Sequence, residues 1–120
     1  MSKPVASSAT DWLSKLLPHF FKQTKDRLFE IKGHQQKIND GVDVFGAMRS
    51  IYEVAHKISG TADIFGYYDL GALARNVESG ISTELEFFED PKTSWSHVEL
   101  ALTLLIQEIE KTLTTEMTSL

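Results

Sequence analysis

Apolar residues recur at three- and four-residue steps along most of the chain, and no segment sustains an alternation of period two. The cleanest run is Leu70, Leu73, Ala74, Val77, Ile81, Leu85 and Phe88. These positions share one face of a helix with about 3.6 residues per turn, whereas in a strand they would fall on both faces. Phe45, Met48, Ile51, Tyr52, Ala55, Ile58, Ala62 and Phe65 form a second stripe, in a helix expected over about residues 44–65. Val98, Ala101, Leu102, Leu105, Ile109, Leu113 and Met117 form a third, in a helix capped by Ser94. Upstream, Phe20, Phe21, Thr24, Leu28, Ile31, Gln35 and Ile38 mark a helix over about residues 19–38.

The breaks between stripes are short. Asn39, Asp40 and Gly41 make one, Gly66 with Tyr67, Tyr68 and Asp69 another, and Asp90 with Pro91 a third. Thr10 and Asp11 cap a further short helix carrying Trp12, Leu13, Leu16 and Leu17, and Pro18 marks either its junction with the next helix or a kink within one longer helix. Residues 1–9 read as a disordered tail. Four amphipathic helices on short connections bury their stripes best as an antiparallel up-and-down bundle. The expected fold is therefore all-α: such a four-helix bundle, with an additional short N-terminal helix over one end or flank. One domain over residues 10–118 suits a chain of 120 residues, 42% of them hydrophobic.

Several functions are disfavoured. The net charge is −5 with acids spread along the chain, and nucleic acid rewards clustered cations. There is no cysteine, so thiol chemistry is excluded. The polar start has no apolar signal-peptide core, and the apolar run 100–106, interrupted by Thr103, is far too short for a bilayer. A cytoplasmic protein without membrane contact is expected. His19, His34 and His97 lack metal-ligand spacing, and no Gly-rich phosphate loop or kinase signature is present, so neither metal, cofactor nor ATP is expected. Lys22, Lys25, Arg27, Lys32 and Lys37, with Asp26 and Glu30 interspersed, read as a solvated helix face.

Chemistry concentrates in Ala55-His56-Lys57-Ile58-Ser59-Gly60-Thr61-Ala62. His56 falls on the edge of the buried stripe. Gly60 lies one turn further along the same face, at a helix-interior position where glycine costs about 1 kcal/mol relative to Ala. It leaves open space above the imidazole for another protein's active site. Imidazole suits reversible phosphorylation, because a neutral, nucleophilic ring nitrogen is available at cell pH. Lys57 points further into solvent, where it can screen charge on a group attached to His56. Glu78, beside the apolar stripe of the next helix, is either an acceptor that orients the imidazole or a solvated glutamate.

These residues resemble histidine phosphotransfer domains, among them the stand-alone relay proteins and the phosphorylatable domain of chemotaxis-type kinases. The resemblance rests on Ala55-His56-Lys57-Ile58, Gly60-Thr61-Ala62, Phe65-Gly66, Leu70, Ala74 and Val77-Glu78, and extends more loosely over about residues 10–118. It implies that His56 is a phosphoryl acceptor and that Glu78 matches the glutamate that hydrogen-bonds the histidine in chemotaxis-type members. Where many members carry Lys three residues after the histidine, this chain has Ser59, so charge compensation falls to Lys57 or to the partner. The implied partners are receiver domains of response regulators, a histidine kinase, or both, docking on a patch of Ser59, Gly60, Asp63 and Ile64. The expected protein is a monomeric phosphorelay intermediate and not an enzyme with its own substrate. The alternative is a helical adaptor that binds the same partners and is never phosphorylated.

Overall fold

The computed structural model describes the backbone of residues 3–87 and 91–118, and the side chains of residues 11–86 and 95–115. The apolar stripes become four α-helices in succession: α1 Lys3–Asn39, α2 Val44–Ala62, α3 Tyr68–Phe87 and α4 Pro91–Thr118. No strand occurs among the described residues. Helix α2 packs most heavily on α3, α3 on α4, and α1 on α2, while α1 and α4 meet along a thinner seam and α2 barely touches α4. The helices therefore surround one core as a four-helix bundle. Met48, Ile51 and Ala55 of α2, Leu70, Val77 and Ile81 of α3, and Leu102, Leu105 and Ile109 of α4 are buried at its centre. Each such side chain contributes about 1.5–3 kcal/mol of apolar burial, Ala55 less. No helix among the described residues is long and apolar enough to cross a membrane.

The structure redraws several expected boundaries. The short N-terminal helix is not a separate element, because α1 runs unbroken from Lys3 through Pro18 to Asn39. Residues 3–9, expected as a tail, fall within it. Pro18 deprives the Ser14 carbonyl of its usual N–H donor, but Ser14 and Pro18 are both exposed, so water can take the donor's place. Pro4 stands in the first turn, where no N–H is required. The same logic lets α4 begin at Pro91 and not after a Ser94 cap. Tyr68 and Asp69, expected in a turn, form the first turn of α3. Phe88, Asp90 and the Met117 side chain lie outside the described residues.

Two helix ends close alike. After α1, Gly41 takes φ 71°, with Val42 N–H donating to Lys37 O (2.8 Å) and Gly41 N–H to Ile38 O (3.0 Å). After α2, Gly66 takes φ 84°, with Tyr67 N–H donating to Ala62 O (2.9 Å) and Gly66 N–H to Asp63 O (3.1 Å). Both are Schellman closures, which need a left-handed residue that glycine supplies without steric cost. Helix α2 thus ends at Ala62, and Phe65 belongs to the turn. The turn is held on α1 by aromatic stacking: the Phe20 ring lies 4.8 Å from Phe65 and 5.4 Å from Tyr67. This anchor sets the height of α2 in the bundle, and with it that of His56.

Candidate functional site

Around His56 the burial of α2 alternates as a helix edge requires. Ala55, Ile58 and Ser59 face inward, while His56, Lys57 and Gly60 are exposed. On α3, Val77 and Ile81 are buried and Glu78 lies beside them on the edge that meets α2. The imidazole and the carboxylate meet across this seam, with His56 Nδ1 3.3 Å from Glu78 Oε2. The carboxylate has only acceptor sites, so Nδ1–H is the donor, and that tautomer leaves the lone pair on Nε2. The His56 side chain is 70% exposed and that of Glu78 only 17%. The glutamate is therefore the fixed partner and the imidazole the accessible one. No hydrogen bond to Nε2 occurs among the described residues.

Glu78 is itself held. The Ser59 hydroxyl donates to Glu78 Oε1 at 2.7 Å and also lies 2.9 Å from the carbonyl oxygen of His56. One carboxylate oxygen thus faces Ser59 and the other His56. Ser59, expected on a docking patch in place of a lysine, is instead a buried residue that orients the glutamate. The Tyr52 ring, one turn before His56, lies parallel to the imidazole at 6.4 Å between centroids. Its place in the apolar stripe marks it as core, yet it is only half-buried and flanks the site.

The remaining expected residues divide. A methyl group built on Gly60 would meet nothing within 4 Å, so the flank of the imidazole one turn on is open. Ile64, just past the end of α2, is 57% exposed. His56, Gly60 and Ile64 therefore form an accessible line along α2. Asp63 does not join it. Its Oδ2 accepts from Arg75 Nη1 at 2.8 Å, and its carboxylate sits so close to Gly71 that a side chain there would collide with it. Asp63 ties α2 to α3. Lys57 is exposed and makes no ion pair among the described residues, leaving its ammonium free to move.

No family model matches the chain, and no curated protein or solved structure matches it either. An accessible imidazole nitrogen, its partner nitrogen engaged by a well-held carboxylate, is a nucleophile that can take up and release a group without the backbone moving.

A second histidine invites comparison. His97 Nδ1 on α4 lies 2.8 Å from Glu84 Oε1 on α3, with side chains 58% and 16% exposed. The residues are distant in sequence and on different helices, so spacing alone does not suggest the pair. One turn beyond His97 stands Ala101 and not glycine, and no residue among those described bridges Glu84 as Ser59 bridges Glu78.

Proposed function

We propose that this chain is a histidine phosphotransfer protein, carrying a phosphoryl group on His56 between receiver-domain aspartates, or from a kinase to a receiver. The observation that carries the reading is His56 itself: an exposed imidazole with Nδ1 on Glu78, Nε2 unengaged, and an open flank at Gly60. In the transfer, the Nε2 lone pair attacks phosphorus. A P–N bond forms as the P–O bond to the donor aspartate breaks, and the carboxylate leaves. The proton on Nδ1 stays between the ring and Glu78, where a carboxylate stabilises the cationic character of the phosphorylated imidazole. Mg²⁺ for the step belongs to the acidic pocket of the receiver. The chain acts as a carrier, in keeping with a sequence that has no Gly-rich phosphate loop or kinase signature.

The finer architecture belongs to the same proposal. Consecutive helices that pack on one another through short connections favour an antiparallel up-and-down order. Lys32 lies against Glu110, and Asn39 shares a groove with Thr103, which supports an antiparallel α1–α4 pair. A cytoplasmic monomer fits a carrier that must meet several partners in turn.

The decisive test is incubation of the purified protein with phosphorylated receivers and kinases. The expected product carries one phosphate that is lost in acid and retained in alkali, and that mass spectrometry locates on His56. Binding of receivers with no such phosphate would leave the adaptor reading.

The support beneath the imidazole is testable separately. Glu78→Ala is expected to slow transfer by about ten- to a hundredfold, because a hydrogen bond to a charged group contributes about 1.5–3 kcal/mol. Ser59→Ala, which frees Glu78 without removing it, is expected to cost about two- to tenfold. Rates for both variants, measured beside their melting curves, check this order. Equal rates in all three proteins would make Glu78 and Ser59 a structural clasp between α2 and α3.

A further inference from the structure

On the side of the bundle away from His56, α1 and α4 border an open groove of about 480 Å³. Pro18, Phe21, Leu28 and Phe29 of α1, with Leu113 of α4, supply its apolar lining, and Lys22, Lys25 and Lys32 stand among them. These α1 positions recur at three- and four-residue steps, so they form one continuous stripe about 21 Å long. The stripe is only partly covered: Phe29 is 67% exposed. Lys22 and Lys25 make no ion pair among the described residues, and Lys32 reaches only the half-exposed Glu110 at 3.6 Å. Asp26 and Glu30, the acids of this stretch of α1, do not line the groove.

We infer that this groove docks an acidic amphipathic helix of a partner protein. The groove's apolar residues run from Pro18 to Phe29, about three turns of α1, and match the apolar stripe of a helix. Lysines gathered in the groove of a chain with net charge −5 select a partner with carboxylates beside that stripe. Other occupants fit less well. Lys22 and Lys32 are about 15 Å apart along the helix axis, too far for one carboxylate head of a fatty acid to reach both. A second copy presenting the same face would set lysine against lysine. A nucleic-acid duplex would satisfy the lysines through its phosphates and leave Phe29 uncovered, and the net charge of −5 disfavours a single strand. The inference does not rest on the phosphotransfer reading, because the groove lies on the α1–α4 seam and a helix seated there leaves the α2–α3 seam free.

The test uses the full chain and a synthetic amphipathic peptide with leucines at three- and four-residue steps and glutamates flanking them, followed by amide shift mapping. The expected shifts lie in α1 around Phe21 to Lys32 and in α4 around Leu113, with none at His56. Affinity should fall about tenfold or more in the double variant Lys22→Glu, Lys25→Glu, and about tenfold on raising the salt concentration. These are surface lysines, so the variant keeps the helical signal of the parent. Phe29→Ala should weaken binding without altering its salt dependence. No shift in the groove at millimolar peptide would overturn the inference. So would equal binding of a peptide with lysines in place of the glutamates, or groove shifts that grow with protein concentration alone, the sign of a second copy.

Discussion

Replacing His56 by Gln is expected to abolish phosphoryl uptake from every protein donor while leaving the bundle intact. The His56 side chain is 70% exposed, and among the described residues its ring bonds to Glu78 alone. Glutamine keeps a side-chain amide that can still donate to that carboxylate, so no charge is stranded. An exposed site of this kind changes stability by about 0.5 kcal/mol or less. The amide nitrogen is no nucleophile, so loss of transfer should be complete within detection. Retained acid-labile phosphate, by contrast, would move the acceptor elsewhere, with His97 the first residue to examine because it also holds a glutamate through Nδ1. The measurement pairs phosphate incorporation with thermal melting of both proteins.

Gly60 is where function and stability are expected to part. It is helical and exposed, and a methyl group added to its Cα would have nothing within 4 Å. Gly60→Ala should therefore raise stability by about 0.4–1 kcal/mol, chiefly by restricting the unfolded chain. Transfer should be little changed. Gly60→Gln should also fold, since its side chain points to solvent, but it would stand over the imidazole from one turn away and fill the approach of a receiver aspartate. Transfer in both directions should drop by about a hundredfold or more, a rise of about 3 kcal/mol in the barrier. Small phosphodonors, which need less room, should be affected less. A Gln variant that transfers at the parental rate would place the docking face elsewhere.

How far the residues foretell the molecule depends on what kind of contact is at stake. The stripes on α2, α3 and α4 are legible because burial imposes a period, and Met48, Ile51, Val77, Ile81, Leu102 and Ile109 all lie in the core. The glycine break after Phe65 is legible because φ 84° suits few other residues. Pro18 is not decidable from sequence. A proline costs a helix one hydrogen bond, and whether the helix survives depends on packing either side, which local sequence does not contain. The same limit applies to the site. The edge position of His56 and the gap at Gly60 follow from helix geometry alone. That Glu78 reaches His56 depends on the rotation of α3 against α2, which leaves two readings of the glutamate open until the helices are placed. Within its own helix Ser59 is only a small polar residue one turn from His56, whereas its hydroxyl acts across the seam. The lysines of α1 read as a solvated face, because the groove they line exists only once α4 is laid beside them.

His56 stands outside the core built by Met48, Ile51 and Ile58, and Glu78 engages the ring nitrogen that chemistry leaves alone. In the proposed carrier, loading and unloading then remake no buried contact. Such a carrier would store its state as a covalent bond and keep no record of it in shape. The two forms of that carrier would be told apart only by the next protein to touch the imidazole. Signal timing in such a pathway is set by encounter frequency and by the lifetime of the P–N bond, with no conformational clock inside the bundle to slow or sharpen it.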